Sequence, residues 1–279
     1  MNLEIPQAKV FITVKTYPQP SSSYGELVCT AGLLNGEQWV RIYPIPFRFL
    51  QDNQQYPKYS WITLDLERRT QDFRPESYRP RRGIDESIQV GEKLGTQDAW
   101  AGRKEFVLKE VFTSMQELIK LARAKPEYKS LATLKPAEIV DFVIQETDRD
   151  WKEKIIAQNQ QGDIFETNDR GEMQPRSFVQ KLPYKYSYKI FSEGDDRPRT
   201  MMIEDWEIGA LFWNCLKNTD GDEEAANALV RQQYFDTFLE KRDVYLFLGT
   251  TLQYHHKSRN PFVIVGVFYP PKTSQLSLF

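Results

Sequence analysis

The stretch from Glu26 to Tyr43, ELVCTAGLLNGEQWVRIY, decides the fold class. It holds two β-rich runs on either side of Asn35-Gly36. Because Asn and Gly tolerate the positive φ angles of a type I′ turn, the stretch predicts a β-hairpin. Pro44 and Pro46 follow, and we expect them to end the second strand because proline has no N–H to donate.

Two further stretches, one before and one after this hairpin, also predict strands. Ala8 to Thr16 alternates apolar and polar residues over several positions, as a half-buried strand does, and Trp61 to Leu66 reads WITLDL. Four short strands close together in the chain favour a small curved sheet or a partial barrel. We therefore expect a β-rich N-terminal part.

The C-terminal part is expected to combine helices with a second hairpin. Asp222 to Lys241 predicts the clearest helix, because acidic residues begin it and basic residues end it, as the helix dipole favours. Asp205 to Leu216 predicts an apolar helix, and Val244 to Tyr254 with Pro261 to Tyr269 predict two strands. The predicted fold class is α+β, with a β-rich N-terminal sheet or partial barrel and C-terminal helices packed on a small antiparallel sheet.

The length of 279 residues fits one large domain or two ordinary ones. The polar stretch from Gln158 to Arg176 is the most linker-like part of the chain. We predict a β-rich N-terminal domain with a mixed α/β middle over residues 1–160 and an α+β domain over residues 176–279. A single domain is the alternative.

The charge balance excludes a uniformly basic nucleic-acid binder. Lys and Arg number 37 against 39 Asp and Glu, so the formal net charge is -2. A local basic face is still compatible with this balance. Aromatic residues make up 13% of a chain with a mean hydropathy of -0.59, so some rings are expected at the surface.

The sequence predicts a cytoplasmic protein without a membrane span. Its only cysteines are Cys29 and Cys215, which cannot build a disulfide framework or a four-ligand zinc site. The start of the chain does not resemble a signal peptide, and no apolar run reaches the roughly 18 to 20 residues of a membrane helix. No phosphate-binding loop or dinucleotide-binding glycine pattern is present, so we predict no cofactor and no metal.

The first candidate site is the segment from Arg68 to Gly83, RRTQDFRPESYRPRRG, which we expect to be a long loop or extended arm. Six arginines against Asp72 and Glu76 leave it a local charge of +4. Arginine binds phosphate through paired hydrogen bonds and aromatic rings stack on bases, so single-stranded or deformed nucleic acid suits it. The predicted contacts are Arg68, Arg69, Arg74, Tyr78, Arg79, Arg81 and Arg82. Alternatively, these arginines pair with carboxylates of the same chain on a solvated loop.

The second candidate site is the tip of the last hairpin, Tyr254 to Asn260. Its predicted nucleic-acid contacts are His255, His256, Lys257 and Arg259. His255 is also a candidate acid or base near neutral pH. Adjacent histidines on a strand point to opposite faces, so they are poorly placed to share one metal ion. The alternative is an exposed polar turn.

Tyr184, Tyr186 and Tyr188 recur with a period of two. Such a row can be a stacking platform for single-stranded nucleic acid, but it is more often one wall of a core, and we favour the core.

The last candidate site groups three carboxylates. Glu204, Asp205 and Glu207 could hold Mg²⁺ together with His255 for phosphodiester chemistry. Helix capping by Asp205 and a first-turn position for Glu207 explain the last two equally well.

We therefore predict first a cytoplasmic nucleic-acid-binding protein, accessory to a larger nucleic-acid-processing complex. The alternatives are a protein–protein interaction module and a metal-dependent phosphodiesterase or nuclease-like enzyme.

Overall fold

A computed structural model of the chain describes residues 3–21, 25–83, 86–151, 165–167, 173–175 and 179–272. The fold is α+β, as predicted, with a five-stranded barrel at the N-terminal end and helices packed on smaller sheets at the C-terminal end. Among the described residues, no helix combines the length and the apolar character that crossing a membrane requires.

The barrel is closed. Its strands follow one another around the ring in the order β1, β3, β4, β6, β5, and β5 pairs with β1 to complete it. Only the β4–β6 pair is parallel. Two short strands, β2 and β7, extend β3 and β5 outside the ring. The bounds are β1 (Glu4–Lys15), β2 (Gln19–Ser21), β3 (Gly25–Leu34), β4 (Gln38–Ile45), β5 (Ser60–Arg68), β6 (Ser77–Pro80) and β7 (Gln89–Lys93), with 3-10 turns at Phe47–Phe49 and Asp52–Gln54.

The predicted hairpin of β3 and β4 is confirmed. Asn35 and Gly36 take φ angles of 52° and 73°, as the type I′ turn requires. The expectation that Pro44 ends the second strand is wrong, because β4 continues to Ile45, which pairs with Val28. The ladder contains a bulge beside Pro44, and a bulge is one of the few places where a strand tolerates a residue without an N–H.

The segment predicted to be an extended arm is instead part of the barrel wall. A turn folds it back, since the backbone N–H of Arg74 donates to the Asp72 carboxylate at 3.1 Å and that of Ser77 donates to the Arg74 carbonyl at 3.1 Å. The chain then enters β6, which pairs with both β4 and β5. The prediction was wrong because it took the low aliphatic content as a sign of a loop, whereas this part of the wall is built from arginine, tyrosine and proline.

The C-terminal part contains a four-stranded sheet in the order β16, β15, β9, β8 and a three-stranded sheet in the order β10, β13, β14. The strand bounds are β8 (Val111–Phe112), β9 (Leu131–Leu134), β10 (Glu138–Glu146), β11 (Phe165–Thr167), β12 (Met173–Pro175), β13 (Tyr184–Phe191), β14 (Arg199–Met202), β15 (Tyr245–Thr250) and β16 (Phe262–Phe268). The helices are α1 (Gln97–Val107), α2 (Met115–Arg123), α3 (Trp206–Asn218), α4 (Glu223–Arg231) and α5 (Phe238–Lys241), with a π-helical turn at Gln232–Thr237 between the last two.

The tyrosine row on β13 belongs to the core, as favoured. Tyr186 and Tyr188 are buried, and the Tyr186 hydroxyl donates to the Asn227 side chain at 2.7 Å. The Tyr188 hydroxyl donates to the carbonyl of Tyr234. These rings pack under the helices, so they offer no platform to an external strand.

A third hydrophobic cluster joins the barrel to the C-terminal sheet. Phe11 and Val14 of β1 pack in it with Phe247 of β15 and Phe268 of β16. The predicted division at residues 160–176 falls mostly outside the described residues and stays a prediction. The strands that precede and follow it, β10 and β13, pair with each other.

Candidate nucleic-acid interface

The two basic segments singled out in the sequence meet at one place. The ring of Phe73, in the turn before β6, stacks on His256 with a centroid distance of 4.5 Å and an interplanar angle of 26°. Tyr128 packs its edge on both rings at 5.2 Å and 5.5 Å. A hydrogen bond of 2.5 Å from Arg74 Nη1 to the Thr250 carbonyl fixes the same turn to the end of β15.

His255 is in the interior, although the sequence placed it on a hairpin tip. Its Nδ1 lies 2.8 Å from Thr250 Oγ1 and its Nε2 lies 2.6 Å from the Ala122 carbonyl. The side chain is fully buried, and burial lowers its pKa. Because both ring nitrogens already have partners inside the protein, His255 anchors the loop and is not exposed to a nucleic-acid strand.

The residues after His255 face outward. His256, Lys257 and Arg259 are exposed, and the neighbouring Tyr254 keeps 52% of its surface accessible. Arg123 of α2 holds the loop from below by donating to the carbonyls of Ser258 and Arg259 at 3.1 Å and 3.2 Å. We call Phe73, Tyr128, His256, Lys257 and Arg259 the stacking face.

The arginines of the segment from Arg68 to Gly83 divide into three groups. Arg68 and Arg74 turn inward: Arg68 donates to the Ser77 and Asp72 carbonyls, and Arg74 pairs with the Asp72 carboxylate at 2.6 Å. Burial opposes ionisation of Asp72, but hydrogen bonds from Arg74 lower its pKa to about 2. Tyr78 is likewise buried.

A second group lies at the surface of the barrel wall. Arg79 pairs with Glu67, and Arg81 pairs with Glu4 at 3.0 Å. Arg82 is exposed, and its backbone N–H donates to Glu86. The predicted alternative, arginines paired with carboxylates of the same chain, therefore describes Arg74, Arg79 and Arg81.

Arg69 forms the third group of this segment: it is partly exposed and lies beside Tyr43 of the β3–β4 hairpin. Its guanidinium lies 4.9 Å from the centre of the Tyr43 ring, and no ion pair to it occurs among the residues the structure describes. Both Arg69 and Tyr43 line the cavity that opens here.

The three candidate carboxylates have different surroundings. Asp205 caps α3 by accepting from the Glu207 backbone N–H at 3.2 Å, and it receives the buried Lys58 ammonium at 2.9 Å. Glu207 pairs with the same ammonium at 3.1 Å. Burial alone would lower the pKa of Lys58, but the two carboxylates raise it well above its ordinary value.

These groups do not form the Mg²⁺ site considered as an alternative, because both ring nitrogens of His255 are occupied. Within the described ranges, no three His, Cys, Asp or Glu side chains are grouped so that they could hold a metal ion. As the sequence alternative predicted, Asp205 caps the helix and Glu207 lies in its first turn. Their ion pairs with Lys58 were not predicted.

Glu204 faces a cavity of about 460 Å³ between the barrel and the last hairpin. Burial raises the pKa of its carboxyl group. The cavity is also lined by Arg41, Arg74 and Cys29. Burial raises the pKa of the Cys29 thiol, and the two guanidinium groups lower it. The cavity therefore offers groups of both signs.

Arg41 is a site residue that the sequence analysis did not single out. It is buried, and its guanidinium donates to the side chains of Ser77 and Ser130 at 3.3 Å and 3.0 Å and to the Thr250 carbonyl at 3.3 Å. The signal was present in the sequence, because a single charged residue stands between Val40 and Ile42 in a strand. Arginine is rarely buried unless it is paired, and here the carboxylates of Glu76 and Asp72 act electrostatically on the Arg41 guanidinium while burial lowers its pKa.

Comparisons with known proteins give two family matches. The family described as "Domain of unknown function (DUF8758)" matches residues 6–109. No curated protein matches the chain. The family described as "Domain of unknown function (DUF8757)" matches residues 111–279, which is more than half of the sequence, and the chain belongs to this family.

Proposed function

We propose that this chain is a cytoplasmic nucleic-acid-binding protein that holds a single strand on the stacking face, as an accessory to a larger nucleic-acid-processing complex. The observation that carries the proposal is the stack of Phe73 on His256, which places an aromatic ring of the first segment against the exposed basic loop of the second. Two free thiols in the described part of the chain suit a reducing compartment.

The face combines the two features that single-strand binding needs. Phe73 is 38% exposed and His256 is exposed, so a base can stack on the part of the ring pair that neither ring covers on the other. Such stacking contributes about 1–3 kcal/mol per base. Lys257 and Arg259 follow His256 in the same loop and are exposed, so they can neutralise phosphates. Arg123 keeps the loop in place, which lowers the entropy lost on binding.

The proposal is tested by fluorescence-polarisation titration with labelled single-stranded DNA, single-stranded RNA and duplex at several salt concentrations. We expect a single strand to bind best. The double variant Lys257→Ala/Arg259→Ala should reduce the slope of log K against log salt by about 1.4, because each phosphate on a single strand contributes roughly 0.7. His256→Ala should weaken binding by about 1–3 kcal/mol with little change in slope.

Lys217→Ala/Lys241→Ala is the matched control, since it removes two exposed lysines from helices α3 and α5. Equal losses in the control and in the face variant would show that only overall charge matters and would refute the face. No binding to any of the three nucleic acids would refute the proposed function and leave a protein partner as the alternative for the exposed rings.

A further inference from the structure

The cavity beside the stacking face has its rim in the same loop. Leu252 and Gln253 line it and are exposed, and His256 of the stacking face follows three residues after Gln253. Three extended residues span at most about 10 Å. A strand on the face is therefore within reach of the cavity mouth.

The walls and size of the cavity suit a flat organic ligand. Its volume of about 460 Å³ lies in the range of small-molecule sites, roughly 300–1,000 Å³. Much of the lining is apolar, contributed by Val14, Leu27, Ala31, Leu131, Val263 and Val265. Apolar walls favour a planar ring over a compact, strongly hydrated ion such as free phosphate.

Hydrogen-bond donors on the lining remain available. The guanidinium of Arg74 has five N–H groups, and three of them are used, two on the Asp72 carboxylate and one on the Thr250 carbonyl. In the described residues, the other two have no acceptor. Asp72 and Thr250 also fix the plane of the guanidinium, so its free edge is held in one orientation.

Acceptors line the same cavity. The Glu204 carboxyl group forms no hydrogen bond or ion pair with any described side chain, although its own backbone is fixed by Ile264 and Tyr17. The Thr251 hydroxyl is buried and has no hydrogen-bond partner in the described ranges. Arg74 and Glu204 both line this cavity, so it presents a donor and an acceptor to one ligand.

We propose that this cavity binds a guanine base of the strand held on the stacking face, with Glu204 accepting from its N1–H and 2-amino groups and Arg74 donating to O6 and N7. Guanine carries two adjacent donors and two adjacent acceptors, and arginine is the usual partner of O6 and N7. Adenine would turn an unprotonated ring nitrogen toward the carboxylate. Uracil and thymine offer it one N–H, and cytosine offers only its amino group. This inference rests on the proposed function, because it assigns one base of the bound strand.

The experiment is calorimetric titration of the full chain with the 5′-monophosphates of guanosine, adenosine, cytidine and uridine. Guanosine monophosphate should bind about 5- to 150-fold more tightly than the other three, the discrimination of one bidentate pair. Glu204→Gln should weaken it about tenfold or more, since the amide keeps only one acceptor. Glu105→Gln, an exposed carboxylate on α1, is the matched control and should bind as the parent does.

The outcomes separate the two proposals. Preference for guanosine monophosphate that Glu204→Gln removes and Lys257→Ala/Arg259→Ala leaves intact supports the pocket. Oligonucleotides with and without a guanine that bind equally, together with no binding of guanosine monophosphate, overturn the pocket and leave the stacking face standing. Unchanged nucleotide affinity in Glu204→Gln also overturns it. If neither strands nor nucleotides bind, both proposals fail.

Discussion

The ion pair of Lys58 and Asp205 joins the barrel to α3, and breaking it should destabilise the fold more than the loss of a helix cap. Their side chains are 3% and 0% exposed, and Lys58 Nζ lies 2.9 Å and 3.2 Å from the two carboxylate oxygens. Asp205 also accepts from the backbone N–H groups of Glu207 and Val267, both at 3.2 Å. One carboxylate therefore serves a cation, a helix and a strand.

The size of the effect follows from what each variant removes. Asp205→Asn keeps a good cap but removes the charge, which leaves a buried ammonium. Breaking a buried pair costs about 3–5 kcal/mol, and we expect about 3 because Glu207 remains 3.1 Å from the ammonium. Asp205→Ala also loses the cap, worth about 1 kcal/mol, so about 4 kcal/mol is expected. Lys58→Met combined with Asp205→Asn should lose less than the sum of the two single variants, since no buried charge is left at Lys58.

Urea unfolding followed by tryptophan fluorescence measures these differences in the free energy of unfolding. Glu110→Gln is a suitable control, because it breaks the exposed pair with Lys129 and should cost less than about 1 kcal/mol. A loss below about 1 kcal/mol for Asp205→Asn, or strictly additive losses in the double variant, would refute the argument that a buried charge needs its partner here.

Three further predictions concern packing and titration. Gly32→Ala should cost about 1–3 kcal/mol in urea unfolding because its Cβ would overlap a backbone oxygen of β1, whereas Gly102→Ala, with open space around it, should gain up to about 1 kcal/mol. Burial opposes ionisation of Asp72, but Arg74 lowers its pKa to about 2. The Asp72–Arg74 pair should therefore stabilise the fold fully above about pH 4, and about 2 kcal/mol of the free energy of unfolding should be lost as the pH falls to about 2. The unfolding free energies of the parent and of Asp72→Asn should converge by that amount over this interval. Burial lowers the pKa of His255, so the unfolded chain takes up the proton first and stability should fall below about pH 6.5. In His255→Gln this part of the slope should disappear, and an identical slope would contradict the buried, neutral ring.

Local chemistry made much of the fold predictable. Asn35 and Gly36 determine the turn type by themselves. Asp205 caps its helix by accepting a hydrogen bond from the backbone N–H of Glu207, two residues further along the chain. The closure of the barrel depends instead on the pairing of Val10 with Ile62, residues far apart in sequence. No pattern within either strand identifies such a partner, because any half-buried strand presents the same alternation.

The sequence predicted only those features of the candidate site that depend on nearby residues. The exposed cations Lys257 and Arg259 were identified by composition, and they remain exposed. The burial of Arg74 was not, because its partners include a carbonyl of β15 that only the tertiary fold brings near. Arg41 escaped notice because its serine and threonine partners come from three separate parts of the chain. Composition identifies charges, but it does not reveal which of them the fold neutralises or buries.

The core shared by the barrel and the C-terminal sheet should couple the sequence evolution of the two segments. Phe11 lies in the segment that matches one family, and Phe247 and Phe268 lie in the segment that matches the other, yet all three pack in one cluster. A change in the volume of one ring alters the packing of its neighbours across the junction. A substitution in one segment should therefore favour a compensating substitution in the other, and gene rearrangements should keep the two segments together in one chain.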